Sequence, residues 1–208
     1  MGGYPKNLIM LKKFFFLSVF ALSITPIFAQ SFMHSAGSSI SVMTAKLTDN
    51  SYYSYSTDHL VIVHTDVTYF PRLTFLESDN TSFSVGAPLS LGFGLANNIY
   101  GDYAERSIFW GFDAPLALDF NMGCKSTPEN ESMFGGYIGT GFGYSYTNFN
   151  AGDGYKFSTK SYGPLFRGGV RFGFGAGTNL GLTLGFYFKP GLEDEKFKTY
   201  GMNLFFDL

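Results

Sequence analysis

Hydrophobic and polar residues alternate along most of the chain. Between residues 82 and 95 every odd position is apolar, from Phe83 to Leu95, and the even positions hold serine, glycine or proline. From Ile108 to Met122 the even positions are the apolar ones. A period of two is typical of β-strands whose two faces meet different surroundings. Both segments are therefore predicted to be strands with one apolar face.

Six further segments show the same period, at residues 40–47, 61–75, 134–146, 162–174, 180–188 and 200–208. The first is the weakest, and we include it because the sheet would otherwise keep an open edge. The total is eight strands, an even number that suits an up-and-down antiparallel barrel. A count of ten is the alternative.

The chemistry of the two faces favours a membrane barrel. A soluble barrel, such as a lipocalin, would show lysine and acidic residues on its non-apolar face, but here that face is mostly glycine and serine. The chain is 45% hydrophobic and 14% charged, with 26 glycines and 25 phenylalanines, whereas soluble domains carry about 25% charged residues. We therefore predict an all-β fold, a closed antiparallel transmembrane β-barrel whose apolar face meets lipid.

The net charge and the cysteine content exclude other classes of protein. A net charge of −2 offers no basic footprint for nucleic acid. Cys124 is the single cysteine, which excludes a disulfide framework and a cysteine-based zinc site.

The N-terminal residues are typical of a secretory signal. Lys6, Lys12 and Lys13 precede an apolar run over residues 14–24, which is too short to span a bilayer of about 30 Å. We expect cleavage after Ala29, so that residues 1–29 are a signal peptide and residues 30–208 form the barrel domain. Met10 is an alternative initiator.

Connection lengths and aromatic residues predict the orientation. Residues 77–81, 123–132 and 175–179 are expected in the periplasm, and the longer connections at 48–59, 96–106, 147–160 and 190–196 outside the cell. Five aromatic residues fall at the external ends of their strands and are predicted to form an interfacial girdle. They are Trp110, Tyr144, Tyr146, Tyr162 and Tyr200.

The signal peptide and the eight amphipathic strands resemble the small outer-membrane β-barrel proteins of Gram-negative bacteria, such as the transmembrane domain of outer membrane protein A and porin-like barrels. The C-terminal segment resembles the strand signal that the barrel-assembly machinery reads, with Gly201, Leu204 and Phe206 in the matching positions; it departs from that signal by continuing to Asp207 and Leu208. The resemblance implies an outer-membrane location, contact with membrane lipids, and the assembly machinery and periplasmic chaperones as partners during biogenesis.

Two features are predicted to shape the lumen. Asp113 and Asp119 lie on the inward face of the fourth strand, and Arg167 and Arg171 on that of the sixth, so we expect ion pairs, Asp119 with Arg171 among them, to plug the bore. The prolines of two APLxLxF segments, residues 87–93 and 114–120, also face inward. We interpret them as a bulge that helps the barrel curve, with a ligand-shaping kink as the alternative.

Three functions remain open. The expected one is a non-enzymatic barrel that serves as a structural anchor or surface-contact module, without cofactor or metal, because the chain lacks the usual catalytic and phosphate-binding motifs. The first alternative is a channel for small or apolar solutes. The second is a lipid-modifying acyl hydrolase that uses His59 with Asp58 and Ser54 or Ser56. His64 and Asp66 are interpreted as a structural hydrogen-bonded pair.

Overall fold

A computed structural model describes residues 29–48, 57–100, 103–150, 156–174, 180–192 and 197–208. The regular structure in these residues is antiparallel β. The strands are β1 (Ala29–Thr48), β2 (Thr57–Phe75), β3 (Thr81–Gly86), β4 (Leu89–Tyr100), β5 (Tyr103–Asp113), β6 (Leu116–Gly123), β7 (Phe134–Asn150), β8 (Lys156–Gly173), β9 (Gly181–Pro190) and β10 (Lys198–Asp207). No helix in the described part of the chain is long and apolar enough to cross a membrane.

The ten strands occupy eight positions in a closed ring, and we call the strand or pair of strands at each position a stave. β1 pairs with both β2 and β10, which closes the sheet. β3 and β4 both pair with β2, and β5 and β6 both pair with β7, so each of these couples is one stave with an interruption. The predicted closed barrel of eight strands is confirmed in this sense.

The register fixes the slant of the staves. Cross-strand partners followed once around the ring from Ser31 return to β1 at Ser41, ten residues further along. Eight staves with a shear of ten give strands tilted by roughly 40° and a bore just wide enough for side chains. The lumen is therefore expected to be filled rather than open.

Both interruptions fall at an Ala-Pro pair. Ser90 lies opposite Asp113 on one side of the gap and Gly86 opposite Ala117 on the other, so the register is unchanged across it. A bulge would insert a residue and shift the register. The predicted bulge is therefore wrong: Pro88 and Pro115 face each other, neither carries an N–H, and the ladder between the two staves stops there.

The two ends of the barrel differ from expectation. We call the end with connections 49–56, 101–102, 151–155 and 191–197 the upper end, which is the predicted external one, and the other the lower end. β4 and β5 pair as far as Tyr100 opposite Tyr103, and β7 and β8 as far as Asn150 opposite Lys156. The expected long loops at 96–106 and 147–160 are therefore mostly strand, because the ladder continues into them. Residues 1–28, with most of the expected signal peptide, lie outside the described residues.

Candidate functional site

The lumen combines small residues with a few large side chains. On most strands the alternation turns glycine or serine inward, and at several of these glycines a long side chain from a neighbouring strand occupies the space. A Cβ at Gly201 would collide with the ring of Tyr187, and one at Gly185 would collide with the hydroxyl of Tyr137. The glycines therefore make room for the side chains that fill the bore.

Two ion pairs involve the predicted lumen charges. The Arg167 Nε lies 3.5 Å from Asp119 Oδ1, and both side chains are almost wholly buried. Asp113 pairs with Lys189, whose Nζ donates to Asp113 Oδ1 at 2.7 Å and also bonds the Ser145 hydroxyl. The predicted cluster is thus a set of ion pairs, with a cation from β9 that the sequence analysis did not include.

The expected pair of Asp119 and Arg171 is wrong. Arg171 donates to Asn121 Oδ1 at 2.8 Å and to the Lys125 carbonyl at 3.0 Å, both towards the lower end. Asp119 shares its cross-strand row with Gly139 and Arg167. Because Gly139 has no side chain, nothing separates the Asp119 carboxylate from Arg167.

Aromatic rings hold the arginines in the middle of the lumen. The Arg167 guanidinium lies 4.5 Å from the Phe70 ring centroid and 4.8 Å from that of Tyr137. The Arg171 guanidinium lies 4.9 Å from the same Tyr137 ring. Cation–π contacts are strongest where the cation is desolvated, so these rings complement the ion pairs in closing the bore.

A third ion pair at the lower end was not predicted. Asp207 is fully buried and accepts hydrogen bonds from Ser35 at 2.6 Å, Thr183 at 2.5 Å and Arg72 Nη2 at 3.2 Å. Asp207 entered the sequence analysis only as a departure from the terminal signal. The available clue was its position on the strand, because Asp207 is six residues beyond Gly201 and therefore on the same inward face. Lys189 is also at an odd position, which places it on the inward face of β9.

The turn after β6 covers the lower mouth. Its residues Lys125, Ser126 and Thr127 are buried, and the Ser82 hydroxyl donates to the Ser126 carbonyl. The amide of Asn130 ties this turn to the neighbouring one through the Asp79 carbonyl at 2.6 Å. Burial, followed by the charge of Asp207, raises the pKa of the Cys124 thiol at the start of the turn.

The upper lumen holds a polar pair beneath apolar side chains. His64 Nδ1 lies 3.4 Å from Asp66 Oδ1, the geometry of the predicted structural pair, and the Ser39 hydroxyl donates to Asp66. Above them Ile62, Met43 and Phe109 are buried. Met43 and Ile62 are cross-strand partners. Phe109 is in the same row of cross-strand partners as His64, and because the strands are tilted this row rises towards Phe109, which brings it to the height of Ile62.

Two small cavities lie in the described lumen. A cavity of about 30 Å³ lies beside Pro88, Pro115 and Arg167, and a second of about 10 Å³ lies beside His64 and Asp66. Each is the size of one or a few water molecules. In the described part of the chain no group of three or more His, Cys, Asp or Glu side chains could hold a metal ion. The suggested hydrolase serines, Ser54 and Ser56, lie outside the described residues, as do the side chains of Asp58 and His59.

The outer face is apolar. Its most exposed side chains include Val67, Phe93, Ile108, Phe134 and Ile138. The five predicted girdle rings also point outward, towards the upper end. Trp110 lies 5.6 Å from Tyr146, centroid to centroid, and Tyr200 stacks on Phe188 at 4.9 Å.

The residues of the terminal signal divide between the two faces. Leu204 and Phe206 point outward, with 41% and 49% of their surfaces exposed. Gly201 points inward, against Tyr187.

Comparison with known proteins supports the fold. No protein-family model and no curated protein matches the chain. Among solved structures, the outer membrane protein OprG of Pseudomonas aeruginosa is 13% identical, with 86% of this chain and 95% of that one covered and a TM-score of 0.54. Neisserial surface protein A is 11% identical, with 86% and 97% covered and a TM-score of 0.47.

A closed ring of paired strands and an apolar outer face are what the hydrocarbon core of a membrane requires of β-structure, because an open sheet edge would leave a row of backbone groups unpaired there. The chain is therefore a small β-barrel protein of the outer-membrane type.

Proposed function

We propose that this barrel is a non-enzymatic anchor or surface-contact module of the outer membrane and that its lumen does not conduct. The observation that carries the proposal is the filled bore. Asp119 with Arg167, Asp113 with Lys189 and Asp207 with Arg72 occupy successive levels. Two cavities among these residues have volumes of about 30 and 10 Å³.

A conducting pore needs a continuous water-filled path. Here the apolar side chains above His64 and the turn over the lower mouth close both ends of the described lumen. Three of the carboxylates between them are paired with cations, which weakens the field that would attract a permeating ion. In this proposal the barrel holds the chain in the membrane, and the upper hairpins present its surface to the exterior.

Planar-bilayer conductance of the refolded protein tests this proposal. We expect no steady conductance above the bare membrane. A matched variant, Arg167→Ala with Asp119→Ala, removes a mid-lumen pair and is expected to raise the frequency of brief openings. Steady, large conductance of the wild-type protein would overturn the proposal in favour of a small-solute channel.

A further inference from the structure

The larger lumen cavity contains two buried polar groups without a partner in the described protein. Arg167 and Asn203 both line it, with 6% and 7% of their surfaces exposed. The Arg167 Nη2 group and the Asn203 Oδ1 atom are buried and have no hydrogen-bond partner among the described residues. Buried polar groups in native proteins are almost always bonded, either to protein or to a bound water or ion. The cavity is therefore a candidate binding site.

The register explains why Asn203 has no protein partner. Asn203 and Tyr137 lie in one row of cross-strand partners, with Gly169 and Gly185 between them. The glycines bring no polar side-chain atom into this row. The Tyr137 hydroxyl is likewise buried without a partner. The row that makes room for large side chains thus leaves polar atoms of the middle lumen unbonded.

The same cavity borders the interruption in the barrel wall. Pro88 and Pro115 both line it. The Ala87 N–H bonds to β2 and the Ala114 N–H bonds to β7, both away from the gap, so the next carbonyls along the chain, those of the two prolines, point into the gap. Neither proline has an N–H to donate. Since backbone carbonyls at membrane depth require a donor, the cavity adjoins two further unsatisfied acceptors.

Size and charge select the occupant. The cavity measures about 30 Å³, and one water molecule needs about 10 to 15 Å³ of such space, so about two water molecules fit. The cations nearest the cavity, Arg167 and Lys189, are paired with Asp119 and Asp113. The site therefore has no net charge with which to hold an ion. Its occupant must accept from Arg167 and donate to Asn203 and the proline carbonyls, and water does both.

We infer that this cavity is an internal water site and that water bound there supplies the donors that the wall lacks at Pro88 and Pro115. One water accepts a hydrogen bond from Arg167 Nη2. The hydrogens of the bound waters are directed to Asn203 Oδ1 and to the two proline carbonyls, so the interrupted ladder is bridged from the lumen side. The inference goes beyond the proposed function, because a lumen that does not conduct requires no water at this level.

Nuclear magnetic resonance of the full barrel in detergent micelles tests the inference by magnetisation transfer from water. The side-chain amide of Asn203 should show a rotating-frame Overhauser cross-peak to water. Asn121 is the control residue, because it is also buried but donates to Ser84 Oγ at 3.0 Å and accepts from Arg171 at 2.8 Å. It should show no cross-peak, and any signal relayed through a serine hydroxyl would appear there too.

A substitution that fills the cavity provides the second arm. Ser90 lines the cavity, so Ser90→Leu should displace the water, abolish the cross-peak at Asn203 and shift the carbonyl carbon resonances of Pro88 and Pro115. Ser38→Leu is the matched control, since it makes the same change on the exposed outer face of β1. It should leave both signals as in wild type.

Different mobility of boiled and unboiled protein in a gel shows whether each variant is folded. A folded wild-type barrel without a water cross-peak at Asn203 would overturn the inference, and so would a cross-peak that persists in folded Ser90→Leu. Proline carbonyl resonances that do not move in that variant would overturn the bridging of the wall. If Ser90→Leu does not fold, Ser90→Val allows the same comparison with a smaller side chain.

Discussion

At the scale of single residues, the lumen is built from pairs of a glycine and a large side chain. Tyr137 occupies the space beside Gly185, and Tyr187 that beside Gly201. Tyr137 then meets the Arg167 guanidinium from a third strand. Interior packing of this density leaves few voids, so most single changes in the lumen should be felt as lost pairing or as overpacking.

The Asp119–Arg167 pair allows a direct test of this packing. Arg167→Met leaves a buried carboxylate without its cation and should lower the free energy of unfolding by about 3 to 5 kcal/mol. Asp119→Asn with Arg167→Met should recover part of the loss, since neither charge remains. Asp119→Asn with Arg171→Met is the control, and its effects should add, because those residues do not pair. Urea titrations of the refolded barrel measure these variants together with the single variants Asp119→Asn and Arg171→Met, and additivity in the first pair would contradict the assignment.

A substitution at Gly201 tests packing in the lumen, not the assembly signal. Because a Cβ at this position meets the Tyr187 ring, Gly201→Ala should cost about 1 to 3 kcal/mol through overpacking alone. In a Tyr187→Ala background the collision is absent, so Gly201→Ala should lower the melting temperature less there than it does in the wild-type barrel. If Gly201→Ala melts at the wild-type temperature, the Tyr187 ring can move aside without a loss of stability, and the predicted overpacking is wrong. The assembly signal itself is better tested at Leu204 and Phe206, which face lipid.

At the scale of elements, the paired interruptions are the weakest part of the wall. The Ala87 N–H bonds the Pro71 carbonyl and the Ala114 N–H bonds the Tyr144 carbonyl, each on the side away from the gap. Successive residues of a strand direct their polar groups to opposite sides. The carbonyls of Pro88 and Pro115 therefore face each other across the gap with no backbone donor from either proline.

Replacing both prolines should restore the ladder. Pro88→Val with Pro115→Val supplies two N–H groups opposite two carbonyls, and each bond is expected to add about 1 kcal/mol to the free energy of unfolding. Amide exchange of flanking Ser90 and Ala117 should slow in the double variant. Each single variant restores one bond and serves as the internal comparison. Unchanged exchange in the double variant would show that the gap does not limit local opening.

The same elements show what a sequence of this kind can predict. Alternation is local, so it assigned the faces of β4, β6 and β8 and the total of eight staves. Which inward side chains meet in the lumen depends on the register between strands and on the shear of the barrel. The alternation of apolar and polar residues specifies neither. The register of β6 with β7 and of β7 with β8 puts Asp119 in a row with Arg167 rather than with Arg171. The alternation also predicts that Lys189 and Asp207 face inward, but it does not predict their partners. Only the closed ring brings Asp113 to Lys189 and Arg72 to Asp207.

At the scale of the whole molecule, orientation in the membrane is open to a direct test. Cys124 is buried and its thiol pKa is raised, so it should resist maleimides from either side. In a Cys124→Ser background, Ser158→Cys at the exposed upper end should react with an impermeant maleimide on intact cells. Glu131→Cys at the lower end should react only after the outer membrane is permeabilised. Labelling of Glu131→Cys alone on intact cells would reverse the predicted orientation.

Closure of the ring depends on one carboxylate near the end of the last strand. Asp207 joins β10 to β1 through Ser35, to β9 through Thr183 and to β2 through Arg72, so it bonds to residues on both sides of the β1–β10 seam. The contacts with Ser35 and Arg72 form only when the first and last strands of the ring meet, because Ser35 and Asp207 are cross-strand partners there. Charge burial and ring closure are therefore coupled.

Asp207→Asn keeps the size of the side chain but leaves Arg72 without its carboxylate, and it should slow formation of the heat-resistant band during refolding and lower its melting temperature. Arg72→Met should do the same, because it buries Asp207 without its cation at a cost of about 3 to 5 kcal/mol. The double variant, which removes both charges, should close faster than Arg72→Met alone. Glu129→Gln, an exposed carboxylate on the lower turn, is the matched control and should refold as wild type does. Wild-type refolding rates in both single variants would show that the ring closes without this pair.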